Sequence, residues 1–286
     1  MIVVIIGPTG VGKTKLSLSL AKKYNAEIIN ADAMQIYKEM NIGTAKVSDT
    51  EDIPHYLLSI KSVNDTYSVC EYQKDGRRVL DELLSKNKNV IIVGGTGLYI
   101  KALLYDYKFT KEETCETYDN LTNEEILNEI NKLGTTDIHV NNRKRLVRTL
   151  NRLKNNNIEE VSGNNLLYDN VYFIGLTTER NILYDRINKR VDEMIEEGLI
   201  EEVKDLYDKG INTISINTAI GYKELYKYFD GTISLEESID LIKRNSRRYA
   251  KRQYTWINNK MNVKWFNVNL NEFDKTIEEV CNYIND

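Results

Sequence analysis

Proline is scarce. The 286-residue chain has two, Pro8 and Pro54, so no proline-rich linker separates independent domains. Its three cysteines, Cys70, Cys115 and Cys281, are odd in number and far apart. That excludes a disulfide framework and a zinc-binding pattern, and they read as ordinary buried or half-buried thiols of a reducing cytoplasm. Two histidines, His55 and His139, leave little material for transition-metal or Ser-His hydrolytic chemistry. No run of eighteen apolar residues exists, and the apolar start Ile2–Ile6 leads into glycines and a lysine without a basic flank or cleavage site. A soluble, cytoplasmic chain without a membrane partner is expected. With 41% hydrophobic and 29% charged residues, there is enough for one large α/β domain or two modest ones. A formal net charge of −4, taken alone, argues against a nucleic-acid partner.

Ile2–Ile6 is β-branched and apolar throughout, the pattern of a buried parallel strand, and the leucine spacing of Lys13–Tyr24 predicts a helix after a glycine turn. Further strands are expected at Glu27–Asn30, Val90–Val93, Val171–Leu176 and Val263–Val268. Helices are expected at Val69–Leu84, from Gly97 through Leu104, at Asn181–Lys209, at Leu235–Asn258 and at Glu272–Ile284. This alternation predicts an α/β fold with a parallel, doubly wound sheet flanked by helices. From Asp106 to about Asn170 no strand-like run occurs, and Asn123–Leu133 and Asn142–Leu153 have helical spacing. The expected division is a core of residues 1–105 and 170–286 interrupted by a small all-helical insert, 106–169.

Gly7-Pro8-Thr9-Gly10-Val11-Gly12-Lys13-Thr14 matches G-x-x-x-x-G-K-[ST] in full, between an expected strand and helix. The glycines let successive N–H groups point inward at phosphate oxygens, and the helix N-terminus adds a favourable field. Lys13 supplies a mobile point charge, and the Thr14 hydroxyl is placed to ligate Mg²⁺. The loop specifies a diphosphate or polyphosphate without saying which.

Phosphoryl-transfer enzymes commonly end a strand in an acidic residue that organises Mg²⁺ and water. Here Val90–Val93 runs instead into Gly94-Gly95-Thr96-Gly97-Leu98-Tyr99, which weakens an ordinary ATPase assignment. Asp32, directly after the second strand, falls at the carboxyl edge of the sheet, where such folds bind ligands. A carboxylate there can take a proton from an attacking nucleophile. A helix-capping or turn aspartate satisfies the same position.

The phosphate loop, Asn30-Ala31-Asp32-Ala33-Met34-Gln35-Ile36-Tyr37, Gly43-Thr44-Ala45-Lys46, Pro54-His55, Tyr67-Ser68-Val69 and Val93–Tyr99 together resemble the tRNA dimethylallyltransferase family. Arg145-Leu146-Val147-Arg148, Arg190-Val191-Asp192-Glu193-Met194, Ala219-Ile220-Gly221-Tyr222-Lys223-Glu224 and Lys251-Arg252-Gln253-Tyr254-Thr255-Trp256 continue the pattern in order. The resemblance spans nearly the whole chain and is of the bacterial type, without a C-terminal zinc finger. It implies transfer of a dimethylallyl group from dimethylallyl diphosphate to N6 of the adenosine 3′ of the anticodon, with release of diphosphate, by a monomeric enzyme using Mg²⁺.

Asp32 would then be the base, with Thr96 facing the reacting centre. Arg186 and Arg190 would close over the diphosphate, though surface charge on an amphipathic helix accounts for them equally well. The adenine must leave its stack to reach the sheet edge, so a flipped base met by Asp32 and Gln35 is expected. The implied tRNA contacts are Asp32, Ala33, Met34, Gln35 and Thr96, then Lys144, Arg145, Leu146, Val147 and Arg148, and finally Arg244, Arg247, Arg248 and Lys251. Ala33 stands where the family usually has serine, and the insert is shorter than is typical. Both departures bear on tRNA contacts more than on the chemistry.

The windows Arg143–Lys154 and Lys243–Arg252 hold twelve of the 39 basic residues and none of the 43 acidic ones, so the acidic average conceals basic footprints. In the second window, positions 243/247/251 and 244/248/252 repeat at helical spacing and predict a basic stripe suited to the tRNA anticodon stem-loop. A solvated face balanced by acids such as Glu196, Glu197, Glu201 and Glu202 is the plainer alternative. Other functions remain open: an ATP-dependent small-molecule or nucleoside kinase, a non-catalytic P-loop RNA-binding module, or prenyl transfer to free adenine nucleotides. The Gly94–Tyr99 loop and basic stripe disfavour the kinase, intact Lys13, Thr14 and Asp32 disfavour the module, and the insert with its basic cluster favours a whole tRNA.

Overall fold

A computed structural model describes residues 1–109, 116–134, 136–154 and 164–285. In chain order the elements are β1 (Ile2–Ile6), α1 (Lys13–Tyr24), β2 (Ala26–Asn30), β3 (His55–Tyr56), α2 (Val69–Ser85), β4 (Asn89–Gly94) and α3 (Gly97–Leu104). Then follow α4 (Asn123–Leu133), α5 (Arg143–Lys154), β5 (Val171–Thr177), α6 (Arg180–Glu196), α7 (Leu199–Asp208), α8 (Ile214–Thr218), α9 (Tyr222–Phe229), α10 (Leu235–Lys260), β6 (Lys264–Asn267) and α11 (Phe273–Asn285).

The six strands form one parallel sheet in the order β3-β2-β4-β1-β5-β6. β1 is apolar at every position because it is central and covered on both faces. Val3 and Ile5 pack with Leu16 and Leu20 of α1 and Val280 of α11, whereas Ile2, Val4 and Ile6 pack with Tyr72 and Leu80 of α2 and Leu103 of α3. Each such side chain contributes about 1.5–3 kcal/mol relative to leaving it exposed. The parallel register brings the carboxyl ends of β1, β2 and β4 to one edge, with Ile6 opposite Gly94 and Asn30 opposite Val93. The segments leaving those ends therefore meet.

Two expectations change here. The continuous helix over Asn181–Lys209 is interrupted at Gly198, whose φ of 101° is a left-handed conformation that ends α6 and starts α7. α8 and α9, not anticipated from the sequence, join α7 and α10 around Tyr222, Leu225 and Ile242 in a separate apolar cluster. Cys70 is exposed and Cys281 buried, so only the latter is a core thiol, and Cys115 lies outside the described residues. None of the described helices is long and apolar enough to cross a membrane.

The chain divides into two compact units, Met1–Tyr105 with Leu166–Asp286, and Asp106–Asn165. Leu166–Asp169, expected with the insert, run with the larger unit because the Leu167 N–H bonds to Leu104 O and the Tyr168 hydroxyl bonds to Asp81. In the smaller unit α4 and α5 face each other through Ile126, Ile130, Leu146 and Leu150, all fully buried. Thr122 and Glu125 form a capping box on α4. Buried Asn151 accepts from the Glu116 N–H and the Tyr118 hydroxyl and donates to Glu116 O, which fixes the strand of chain leading into α4.

Candidate active site

The segments after β1 and β2 and the end of β4 line a cavity of about 660 Å³, completed by α6, the turn 218–221 and α10. Its floor is the loop 7–12. Gly12 has φ 94°, and a Cβ there would lie 2.5 Å from the Phe273 ring, so both backbone and packing require glycine. α1 starts with no side-chain cap and no acid in its first turn, leaving the N–H groups of that turn to an anion.

Lys13 Nζ donates to Gly7 O at 3.0 Å and Pro8 O at 2.9 Å. Loss of surrounding water lowers its pKa to about 8; the Asp32 charge opposes that shift and the Arg190 charge adds to it. Arg190 donates from Nη1 to Thr9 Oγ1 at 3.2 Å, and its own pKa is lowered, first by burial and then by Arg186. Both arginines line the cavity, Arg190 half-buried and Arg186 exposed at its mouth. Gly10, Thr14, Lys15, Lys189, Lys223 and Arg252 also line it, with Asp32 and Glu193 as the acids. The field strongly favours a multivalent anion.

Asp32 is held by its neighbours. The buried Asn30 side chain accepts the Asp32 N–H and donates to Asp32 O, both at 3.2 Å, and donates to Leu57 O at 2.9 Å. Asp32 Oδ1 accepts the Met34 N–H at 3.0 Å. Position alone allowed a turn aspartate, and Asp32 is one; it also faces the cavity that contains Lys13. Met34 and Gln35 line the same space, and Gln35 Nε2 donates to Thr44 O at 3.0 Å and Ala45 O at 3.3 Å. Thr96 stands behind this segment: its hydroxyl accepts the Ala33 N–H at 3.1 Å, and its own N–H bonds to Ala31 O. Neither Ala33 nor Thr96 is among the cavity-lining residues.

Three residues in or beside the site were not expected there from the sequence. Glu202 of α7 accepts the N–H groups of Asn41, Ile42 and Gly43 and the Tyr222 hydroxyl, thereby anchoring the loop that Gln35 also binds. Tyr249 of α10 lies beside Thr96, and burial followed by the Asp32 charge pushes its ionisation well up, so it stays a neutral donor. Gln253 contacts two loops at once. The motifs Ala219–Glu224 and Lys251–Trp256 contained this signal, but spacing alone does not say which of their side chains point inward.

On α10 the basic residues differ in their surroundings. Lys243 pairs with Asp192 at 2.5 Å, and the Arg247 guanidinium donates to Asn188, both partners on α6. Arg244, Arg248, Lys251 and Arg252 are exposed. The expectation that Arg247 is an outward contact is therefore corrected: it is half-buried and engaged by Asn188, as Lys243 is by Asp192, whereas Lys251 of the same row is exposed. Glu202, one of the acids considered as a balance for the stripe, is engaged by loop N–H groups instead. In the smaller unit Lys144, Arg145 and Arg148 are exposed and Val147 is half-buried, but Leu146 is fully buried in the core of its own unit and is corrected to a packing residue. Arg143 binds Tyr118 O and Leu121 O, and Lys154 lies over the Tyr118 ring.

The pattern of a family described as IPP transferase matches residues 35–260. A tRNA dimethylallyltransferase of Bacillus cytotoxicus is 49% identical over 301 residues, spanning 99% of this chain and 94% of the relative. The crystal structure of the full-length tRNA isopentenylpyrophosphate transferase from Bacillus halodurans is similar with a TM-score of 0.78 at 43% identity, covering 99% of this chain and 95% of that one. A eukaryotic dimethylallyltransferase acting on tRNA gives a TM-score of 0.82 at 27% identity, covering 98% and 77%. The phosphate loop precedes the stretch that this family pattern matches.

Proposed function

The chain belongs to the IPP transferase family, and from that premise we propose how its cavity carries out prenyl transfer to tRNA. The enzyme is a tRNA-prenylating transferase of the tRNA dimethylallyltransferase type. In our reading the donor is dimethylallyl diphosphate and the acceptor is N6 of the adenosine 3′ of the anticodon, presented by the anticodon stem-loop to a cytoplasmic monomer. One observation carries this reading: the anion-binding loop and Asp32 open into a single cavity.

The diphosphate lies against loop N–H groups, Lys13, Arg186 and Arg190. As the C1–O bond breaks, negative charge grows on the leaving diphosphate and is met by these donors, of which Lys13 and Arg190 are enclosed and already in place. N6 is a weak nucleophile because its lone pair is delocalised into the ring. Asp32 accepts a hydrogen bond from N6, holds it toward C1, and takes its proton as the N6–C1 bond forms. Thr96 acts on this side by fixing the Ala33 N–H, and so the segment carrying Asp32.

Mg²⁺ fits the donors present in a limited way. The described residues contain no cluster of three His, Cys, Asp or Glu, so the ion would be held by Thr14 together with diphosphate oxygens and water, the usual arrangement for this hard cation. When bound it neutralises charge on the leaving group. The exposed cations Lys144, Arg145 and Arg148, and separately Arg244, Arg248 and Lys251, are the proposed tRNA phosphate contacts.

The test is incubation of the protein with unmodified tRNA and either prenyl-labelled dimethylallyl diphosphate or γ-labelled ATP. Label from the prenyl donor is expected on N6 of that adenosine. Label from ATP on a small acceptor, with none from the prenyl donor, overturns the reading. Asp32→Ala is expected to lower transfer by about 10²- to 10⁴-fold with diphosphate affinity retained.

A further inference from the structure

Gln253 joins the two halves of the reaction centre. Its side chain leaves α10, a helix started by a Ser234/Glu237 capping box, and is buried at 6% exposure. Oε1 accepts the Thr9 N–H of the phosphate loop at 3.1 Å, and Nε2 donates to Gly95 O at 3.0 Å, one residue before Thr96. A planar amide fixes the relative placement of both groups, since its donor and acceptor are rigidly linked.

Each end continues into groups that act on substrate. Thr9 is also held through its hydroxyl by Arg190. Beyond Gly95, Thr96 binds Ala31 O and the Ala33 N–H on either side of Asp32. The fit is close: a Cβ on Gly95 would lie 2.2 Å from Gln253 Nε2. On the same helix, the Trp256 ring covers Gly97, where a Cβ would lie 2.1 Å from Cζ3. α10 is thus seated on the turn that carries Thr96 while gripping the phosphate loop.

We propose that Gln253 is a positioning residue for prenyl transfer, setting the separation and alignment between the diphosphate cradle and the Asp32 segment. The proposal rests on the prenyl-transfer reading above. Displacement of reacting atoms by about 1 Å can cost on the order of 100-fold in rate, and a single amide spanning both loops controls such a displacement. Misalignment also has a chemical signature. If the C1–O bond breaks while N6 is out of line, a water oxygen bonds to C1 instead, giving dimethylallyl alcohol and diphosphate, with the water proton released to solvent.

The experiment uses the full-length protein, labelled dimethylallyl diphosphate and unmodified tRNA, with wild type, Gln253→Ala, Gly95→Ala and the double variant. Tm is recorded for each. Expected for Gln253→Ala are a kcat lower by roughly 10- to 100-fold, KM values for both substrates within a few-fold of wild type, and more than one diphosphate released per prenyl group on tRNA. Gly95→Ala should show the same uncoupling and should cost much less in the Gln253→Ala background, where its Cβ has room. An active wild type beside a Gln253→Ala variant with unchanged kcat per folded molecule and one-to-one stoichiometry overturns the inference alone. A wild type that transfers no prenyl group overturns the reaction, and the inference with it.

Discussion

Two cations of the cavity, Lys13 and Arg190, differ from those on the outer face of α10 in how much water they keep. Lys13 and Arg190 are enclosed, bonded to loop oxygens, and lowered in pKa by loss of hydration. Arg244, Arg248 and Lys251 stand in solvent. An enclosed cation couples strongly to one anion at short range, whereas exposed cations act as a sum and are screened within about 10 Å at 0.1 M salt. The first set suits charge developing on a leaving group. The second suits a polyanion held at many phosphates.

The largest effect that tests this contrast is Lys13→Ala. Transfer is expected to fall by about 10²- to 10³-fold, nearly equally at low and high salt, as read by single-turnover assays. A loss confined to high salt would place Lys13 with the surface set.

The next effect is a pH dependence peculiar to the enclosed site. In the free protein Lys13 loses its proton at about pH 8, while a bound diphosphate favours the protonated form. Below pH 8 both states hold the proton and affinity is flat. Above it binding must take up a proton, so affinity for a diphosphate monoester falls by about tenfold per pH unit. Titration calorimetry in buffers of differing ionisation enthalpy checks the proton uptake, and a flat affinity up to pH 9.5 contradicts it.

Smaller effects divide the helix face itself. Arg248→Gln combined with Lys251→Gln should lower the slope of log affinity for tRNA against log salt by about 1.4–1.8, with kcat at saturating tRNA preserved. Arg247→Gln should leave that slope unchanged and cost about 1 kcal/mol of stability through its bond to Asn188. An equal change of slope in both variants would erase the distinction between the exposed and the engaged cations of α10.

Features carried by adjacent residues are legible in the sequence alone. The run Ile2–Ile6, the glycine loop and Lys13 form one continuous strand-loop-helix unit, and the observed β1 and α1 follow it residue for residue. The α6–α7 break was obscured because apolar spacing continues on both sides of Gly198, and only its left-handed φ ends the helix. β3 is two residues long, too short to show periodicity, and exists because it pairs with β2. Leu146 sits within a basic run that resembles a contact motif, yet helical phase turns it into the core of its own unit.

The sequence by itself determined the parallel α/β core, the anion loop and the family, because each is encoded by consecutive residues or by an ordered set of motifs. Only the tertiary structure decided which charges are enclosed and which remain in water. Gln253 reaches Thr9 across 244 positions and Gly95 across 158, and Arg247 turns to Asn188 because that part of α10 packs on α6. Spacing places residues on a helix face. Which face is buried depends on what packs against it, and that partner is remote in the chain.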